Sequence, residues 1–355
     1  MAAPAQTVEA VHVVSAGGEG RAMLTSDVHA VWPSAELMLA GASRREPMKT
    51  PDSLSSATFE RVVIGDQRFV VKYLSSASDW IMRATGDVVC RASWMWRTGV
   101  LDRMPSCIDP LIVDVAHDPS NGITTLLMPD VGEHLVSEGT QLLRPEQHER
   151  FLGHMAELHA AFWDWDGPPA LMPVANRYTC LTPTTGAVEA ALGHDGGVPS
   201  VLAAAWQTLV ALAPELGERA LALANDPSPL VDALAETPHT LVHGDWKAGN
   251  LGSWPDGRTI LIDWQWPGRA AGCIDLGWYL AVNCDRLPSS KEDTIASYRA
   301  ALHASGVEVG DWFDRQLDVA LLGAFVQLGW SKTSDPIEFG WWHDRVRPVA
   351  RELTR

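Results

Sequence analysis

Cysteine is scarce in this sequence, with five scattered through 355 residues at Cys90, Cys107, Cys180, Cys273 and Cys284. The number is odd and no two form a Cys-x-x-Cys pair, so neither a disulfide framework nor a zinc site is suggested, and a reducing compartment is expected. Long apolar runs are missing too. No stretch approaches about 18 uninterrupted apolar residues, and the opening Met1-Ala2-Ala3-Pro4-Ala5 has no basic run leading into an apolar one. The expectation is a cytoplasmic protein with no membrane-crossing segment. Positive charge is the third shortage. Lys and Arg number 27 against 44 Asp and Glu, a formal charge of −17, which argues against nucleic acid or anionic lipid as a partner. A cationic or neutral small molecule fits better, and the global charge bears only weakly on a nucleotide held in a focused cleft. Internal repeats, low-complexity tracts and an obvious flexible linker are also absent.

What remains is an ordinary globular composition, 46% hydrophobic and 20% charged, in a chain longer than a single core usually is. Two lobes are expected. Residues 58–74 form two short β-prone runs separated by Gly65-Asp66-Gln67, a hairpin pattern, and residues 49–57 before them are turn-prone and small enough to approach a ligand closely. Residues 87–98 read as a helix, and residues 122–128 as a buried strand ending at Pro129. These make a small β-rich lobe over residues 1–128. From 129 to 355 the character is mainly helical, with apolar residues at helical spacing over 145–163 and an alanine- and leucine-rich run over 199–224. Inside that lobe, residues 240–242 and 259–262 read as two short strands joined through Asp256-Gly257, a hairpin-turn dipeptide.

Each of these two strands delivers polar residues at its end. The first leads into His243-Gly244-Asp245-Trp246-Lys247-Ala248-Gly249-Asn250, and the second into Asp263-Trp264-Gln265. Phosphoryl transfer asks for a group that orients the attacking hydroxyl and for oxygen ligands that hold magnesium against the phosphates. Asp245 can accept the hydroxyl proton, and Asn250 and Asp263 can bind the metal.

This segment resembles the His-Gly-Asp-x-x-x-x-Asn motif of the aminoglycoside phosphotransferase and choline kinase family, relatives of the protein kinases. A string of that form arises by chance in a chain of this length on the order of one time in a thousand. The resemblance covers roughly residues 53–277. It implies an α+β, bilobal, protein-kinase-like fold, with a small β-rich N-terminal lobe, a larger mainly α-helical C-terminal lobe, and ATP with Mg2+ in the cleft between them. It further implies that Lys72 is the strand lysine meeting the α- and β-phosphates; an exposed strand lysine is the alternative. Ser55 and Ser56 stand where the family's phosphate-covering loop lies, although glycines are lacking there, and an ordinary polar turn is the other reading. Residues 124–131 resemble the hinge strand, whose backbone near Met128 and Asp130 would read the adenine edge. Arg91-Ala92 occupies the place where relatives often carry Arg-Glu, which leaves Asp87 as the nearest helix carboxylate for Lys72, or else a helix-capping residue. Asp275 looks like the aspartate that anchors the catalytic loop from the following helix, or an N-cap. His159 and His243 read as packing and orienting residues.

Lys247 is the departure, since many relatives carry an apolar residue or proline there. An ammonium two residues after the base could meet charge on the γ-phosphate, and a solvated loop lysine is the alternative. Sixteen tryptophans is several times ordinary usage. Most belong to a core, but Trp264 and Trp266 beside Asp263, with acidic residues such as Asp164, Asp166, Asp285, Asp311, Asp314 and Glu338, could form a pocket for a sugar or cationic amine. The activity expected is ATP-dependent transfer to a hydroxyl of a small molecule such as an aminoglycoside, amino sugar, sugar or amino alcohol. A protein kinase is disfavoured by His-Gly-Asp and Asp-Trp-Gln in place of His-Arg-Asp and Asp-Phe-Gly. A nucleotide-binding module without catalysis would have no need of Asp245.

Overall fold

The computed structural model of the chain describes residues 31–32, 34–48 and 55–355. A short strand, β1 (Val31–Trp32), and one helical turn, α1 (Ala35–Met38), lead into β2 (Ala42–Met48). β3 (Thr58–Ile64) and β4 (Gln67–Leu74) form the expected hairpin, closed by Gly65 in a left-handed conformation that a side chain would disfavour. Asp79 caps α2 (Trp80–Thr85), Gly86 ends it, and α3 (Arg91–Arg97) comes after it as a separate helix. The helix expected over 87–98 therefore starts later. Asp87 lies ahead of it, and both of its carboxylate oxygens accept the Arg91 N–H at 3.1 Å.

β5 (Ile108–Asp109), β6 (Asp114–Asp118) and β7 (Ile123–Pro129) complete the first half. Six strands make one sheet in the order β1-β6-β7-β4-β3-β2, antiparallel apart from the β1–β6 pair. The two-residue period of β4 decides which side chain goes where. Phe69 and Val71 join Met38, Leu39, Val62, Ala116 and Leu127 in a core on one face. Lys72 alternates to the other face, beside Phe59 of β3 and Leu126 of β7.

The second half is helical. α4 (Pro145–Ala161), α5 (Val174–Thr179), α6 (Pro183–Ala191), α7 (Gly197–Leu212), α8 (Pro214–Asn225) and α9 (Ser228–Ala235) come first. The single helix expected over 199–224 is thus two helices. Pro214 cannot continue α7 and instead takes the first position of α8, with Ala213 pushed out of helical backbone. Four three-residue strands come next: β8 (Thr240–Val242), β9 (Leu251–Ser253), β10 (Thr259–Leu261) and β11 (Gly268–Ala270).

Their pairing differs from the hairpin read in the sequence. The Asp256-Gly257 turn joins β9 to β10, whereas β8 pairs with β11, and β10 also runs parallel to β5. β9 begins directly after Asn250 and contains Gly252, so it carries no strand pattern of its own. The chain then enters α10 (Cys273–Val282), buried from Cys273 to Ala281, and ends in α11 (Lys291–Ala304), α12 (Trp312–Leu328) and α13 (Pro336–Leu353). α10 packs on α12, and α4 on α11. A sheet region succeeded by a helical region is the α+β architecture expected. No helix among the described residues is long and apolar enough to cross a membrane.

Candidate active site

The loop after β8 is built on one buried carboxylate. Asp275, in the first turn of α10, accepts the His243 N–H through Oδ2 at 2.8 Å and the Gly244 N–H through Oδ1 at 2.7 Å. His159 of α4 approaches the same Oδ2 through Nε2 at 3.2 Å, while its Nδ1 meets the Tyr298 hydroxyl at 2.8 Å. Burial works to raise the Asp275 carboxyl, but hydrogen bonding to His159 and nearby positive charge hold it below the usual carboxylate range. His243 orients the loop residues after it. Its Nδ1 accepts the Asp245 N–H at 3.2 Å, so Nε2 carries the proton and donates to the Ile262 carbonyl at 3.1 Å. Burial lowers the His243 pKa and keeps this ring neutral.

Gly244 has φ 84°, and a Cβ there would lie 2.2 Å from both Arg177 Nη2 and the Trp266 carbonyl oxygen. Only glycine fits. The close approach lets the buried Arg177 of α5 donate to the Gly244 carbonyl at 2.8 Å and to the Trp266 carbonyl at 3.1 Å, tying the loop to the chain that enters β11.

Held this way, Asp245 receives three donors. Trp278 Nε1 reaches Oδ1 at 2.8 Å, Asn250 Nδ2 reaches Oδ2 at 2.8 Å, and the Lys247 ammonium lies 2.9 Å from Oδ2. Asn250 also donates to the Asp245 carbonyl at 2.9 Å. Both hydrogen bonds use the amide nitrogen, which leaves the amide oxygen for a cation. Asn283, at the end of α10, fixes the far side of the loop by accepting the Ala248 N–H at 2.8 Å.

Asp263 lies just past β10 with φ 68°, a left-handed conformation that aspartate tolerates better than most residues. Its Oδ1 lies 2.8 Å from Lys72 Nζ. The lysine side chain is 5% exposed and the aspartate 29%, so the carboxylate keeps some access to solvent. Burial raises the Asp263 carboxyl, but the charges of Lys72 and then Lys247 outweigh it and bring the pKa below its ordinary value. An amide oxygen on Asn250 and a carboxylate oxygen on Asp263 are the hard donors that Mg2+ takes.

The carboxylate beneath Lys72 is Asp79, not Asp87. Gln265 links them, accepting from Lys72 Nζ at 2.7 Å and donating to Asp79 Oδ2 at 3.3 Å. Asp87 is engaged by the Arg91 N–H at the start of α3. The reason is that α2 intervenes and brings its N-cap, rather than the residue ahead of α3, under the lysine. Asp79, Gln265, Trp278, Arg177 and Asn283 all escaped sequence reasoning. For Asp79 a signal existed, an aspartate directly before the helical run Trp80-Ile81-Met82; the other four are marked by nothing local.

The remaining expected positions are less engaged. Ser55 Oγ accepts the Ala57 N–H at 3.3 Å and Ser56 is exposed, while residues 49–54 of the same loop lie outside the described residues. Met128 is half-buried in β7 opposite Val70. The Asp130 N–H donates to the Arg68 carbonyl at 3.0 Å, and its carboxylate lies 3.3 Å from Arg61 Nε. Trp264 and Trp266 are core rather than pocket wall. Trp264 is fully buried with its indole N–H on the Leu261 carbonyl at 3.0 Å, and Trp266 packs against Trp278 with ring centres 5.2 Å apart. Glu338 and Asp314 are paired with Lys291 and Arg299.

A family profile described as "Phosphotransferase enzyme family" matches residues 55–312. No curated protein matches the sequence. Among solved structures, aminoglycoside phosphotransferase APH(4)-Ia is similar at 13% identity and TM-score 0.48, over 90% of this chain and 97% of that one. A microcompartment-associated aminopropanol kinase gives 14% and 0.48 over 90% and 96%, and choline kinase LicA from Streptococcus pneumoniae 11% and 0.47 over 89% and 97%. Identities this low assign no substrate.

Proposed function

The chain belongs to the phosphotransferase enzyme family, and on that premise we propose that it moves the γ-phosphoryl group of ATP to a hydroxyl of a small molecule. The observation that carries this reading is that two bonded groups adjoin, Asp245 with Asn250 and Lys247, and Lys72 with Asp263 from 191 residues away, near enough for the Lys247 charge to act on Asp263.

Asp245 accepts the proton of the attacking hydroxyl as its oxygen bonds to phosphorus and the bond to the ADP oxygen breaks. Trp278 and Asn250 fix the carboxylate for that task, and His243 and Asp275 fix the backbone beneath it. Lys72, on a rigid strand, contacts the α- and β-phosphates, with the Ser55 and Ser56 region above them. Lys247 meets charge developing on the transferring group. Asn250 and Asp263 would hold Mg2+, which would supply neutralisation of the charge that develops on the phosphates. Backbone groups near Met128 and Asp130, at the end of β7, would read the adenine edge. In this reading residues 1–128 cover the nucleotide and 129–355 carry the loop, the metal ligands and the acceptor. The acceptor class is an aminoglycoside, amino sugar, sugar or amino alcohol, and the acidic balance of the chain favours a cationic one. Five free cysteines accord with a reducing, cytoplasmic setting.

The test is acceptor-dependent ADP release over a panel of such alcohols. Asp245→Asn should abolish turnover with the responding acceptor while ATP binding survives. Near-native turnover would remove Asp245 from this role, and no response from any acceptor would sink the small-molecule reading.

A further inference from the structure

A second cluster lies apart from the Asp245–Asp263 site. The thiol of Cys107, the imidazole of His154 and the carboxylate of Glu157 each bring a ligating atom within 4.8 Å of the others. We propose that these three side chains bind one thiophilic divalent cation of the zinc class, with water completing the coordination. The inference is independent of the phosphotransfer reading.

The local structure favours such a site. His154 and Glu157 are three apart on α4 and so share a face of the helix. Cys107 is fixed opposite them, since its carbonyl accepts the Thr259 N–H at 2.8 Å as β10 begins. The Thr259 hydroxyl lies 2.7 Å from His154 Nδ1; by accepting the Nδ1 proton it would free the Nε2 lone pair for a cation. An oxygen partner on the nitrogen opposite the metal is the usual arrangement around a metal-bound histidine. Burial lowers the His154 pKa and so favours the neutral ring that ligation needs, while burial and Glu157 raise the Cys107 thiol, which remains protonated without a cation. Binding therefore replaces the S–H bond by an S–metal bond and releases one proton to solvent. Sulfur and imidazole together select zinc-like ions over magnesium or calcium. Tetrahedral coordination brings donors to about 3.5 Å from one another, a contraction of up to about 1.3 Å to which the exposed Glu157 side chain can contribute. Such a cation would brace α4 against the start of β5, the partner of the strand that leads to Asp263. No Cys-x-x-Cys pattern announces it, because the ligands come from two distant segments.

Titrating the purified full-length protein with Co2+ tests the proposal through the thiolate-to-cobalt absorption band, which the sulfur-free Asn250–Asp263 site cannot produce. One equivalent of Co2+ should generate the band and release about one proton per ion. Cys107→Ser should remove the band, and Glu157→Gln, at an exposed position, should fold normally and weaken binding at least about tenfold; Thr259→Val should weaken it about 10- to 100-fold. Absence of the band, its persistence in Cys107→Ser, or unchanged affinity in Glu157→Gln would each overturn the assignment.

Discussion

Two aspartates lie wholly out of solvent, Asp275 beneath the loop of Asp245 and Asp79 beneath Lys72, and their chemistry diverges. Burial raises both. Around Asp275, the hydrogen bond to His159 and nearby positive charge more than offset that penalty, so its pKa falls below the ordinary range. Around Asp79, the charge of Lys72, one glutamine amide at 3.3 Å and the cap of α2 do not, so its pKa stays raised. Burial alone does not fix the state of a carboxyl; the closeness of its donors and the charges around it do. The consequence is mechanical as well: the backbone at His243 and Gly244 is held by a rigid helix carboxylate, and the Lys72 side rests on two long side chains, Lys72 and Gln265, with more freedom to rearrange.

The largest effect that would break this comparison is on stability. Asp275→Asn turns one acceptor into a donor facing a buried N–H and should cost about 3–5 kcal/mol in chemical denaturation. A loss under about 1 kcal/mol would mean the loop does not depend on that carboxylate. Next comes Lys247→Ala, on the same bonded side. If its ammonium meets transition-state charge, kcat and kcat/KM should fall together by roughly a hundred- to a thousand-fold, about 2.7–4 kcal/mol, with ATP affinity little changed. A change of less than about threefold would return Lys247 to the solvated surface.

Smaller is the response to pH. His148, His239 and His243 all have pKa values lowered by burial. In each the folded pKa lies below the unfolded one, near 6.5, so the unfolded chain takes up the proton first and stability drains as pH falls below about 6.5. Each proton taken up contributes a slope of about 1.4 kcal/mol per pH unit. Asp79 acts in reverse, because a raised carboxyl stabilises the folded chain at low pH and loses that contribution as pH rises through its folded pKa. Denaturation midpoints between pH 7 and 5 should decline, and a flat profile would contradict the buried neutral histidines. The smallest expected effect is Asp79→Asn, within about 1 kcal/mol, since asparagine caps a helix as well as aspartate does. A loss equal to that of Asp275→Asn in the same assay would erase the distinction between the two sides.

How much of this is legible in the sequence depends on the range of each interaction. The His243–Asn250 string and Asp263 are readable because their residue types and spacing are local. So are the 58–74 hairpin, which needs only alternation and a turn, and the strand ending at Pro129. Pro214 marks the split of the 199–224 helix, a signal that the alanine- and leucine-rich composition on either side outweighs. The partner of β8 is not readable, because strands of three residues carry too little pattern to choose between β10 and β11. Nor can the sequence show that Asp79 replaces Asp87 beneath Lys72, or that Trp278 and Arg177 hold the loop. Those depend on helices packed from far along the chain, and a buried tryptophan or arginine looks in sequence like any other.

The amide protons of His243 and Gly244 are enclosed between a backbone and a buried carboxylate, in a segment bounded by β8 on one side and β9 on the other. Loops ordinarily give up their protons to deuterated water within their own local fluctuations, but these two have no such route. They should exchange only when the surrounding helices open together, on the timescale of α10 itself. Measured by deuterium uptake, this turn of chain would be indistinguishable from the innermost helix, a loop in shape and a core element in kinetics.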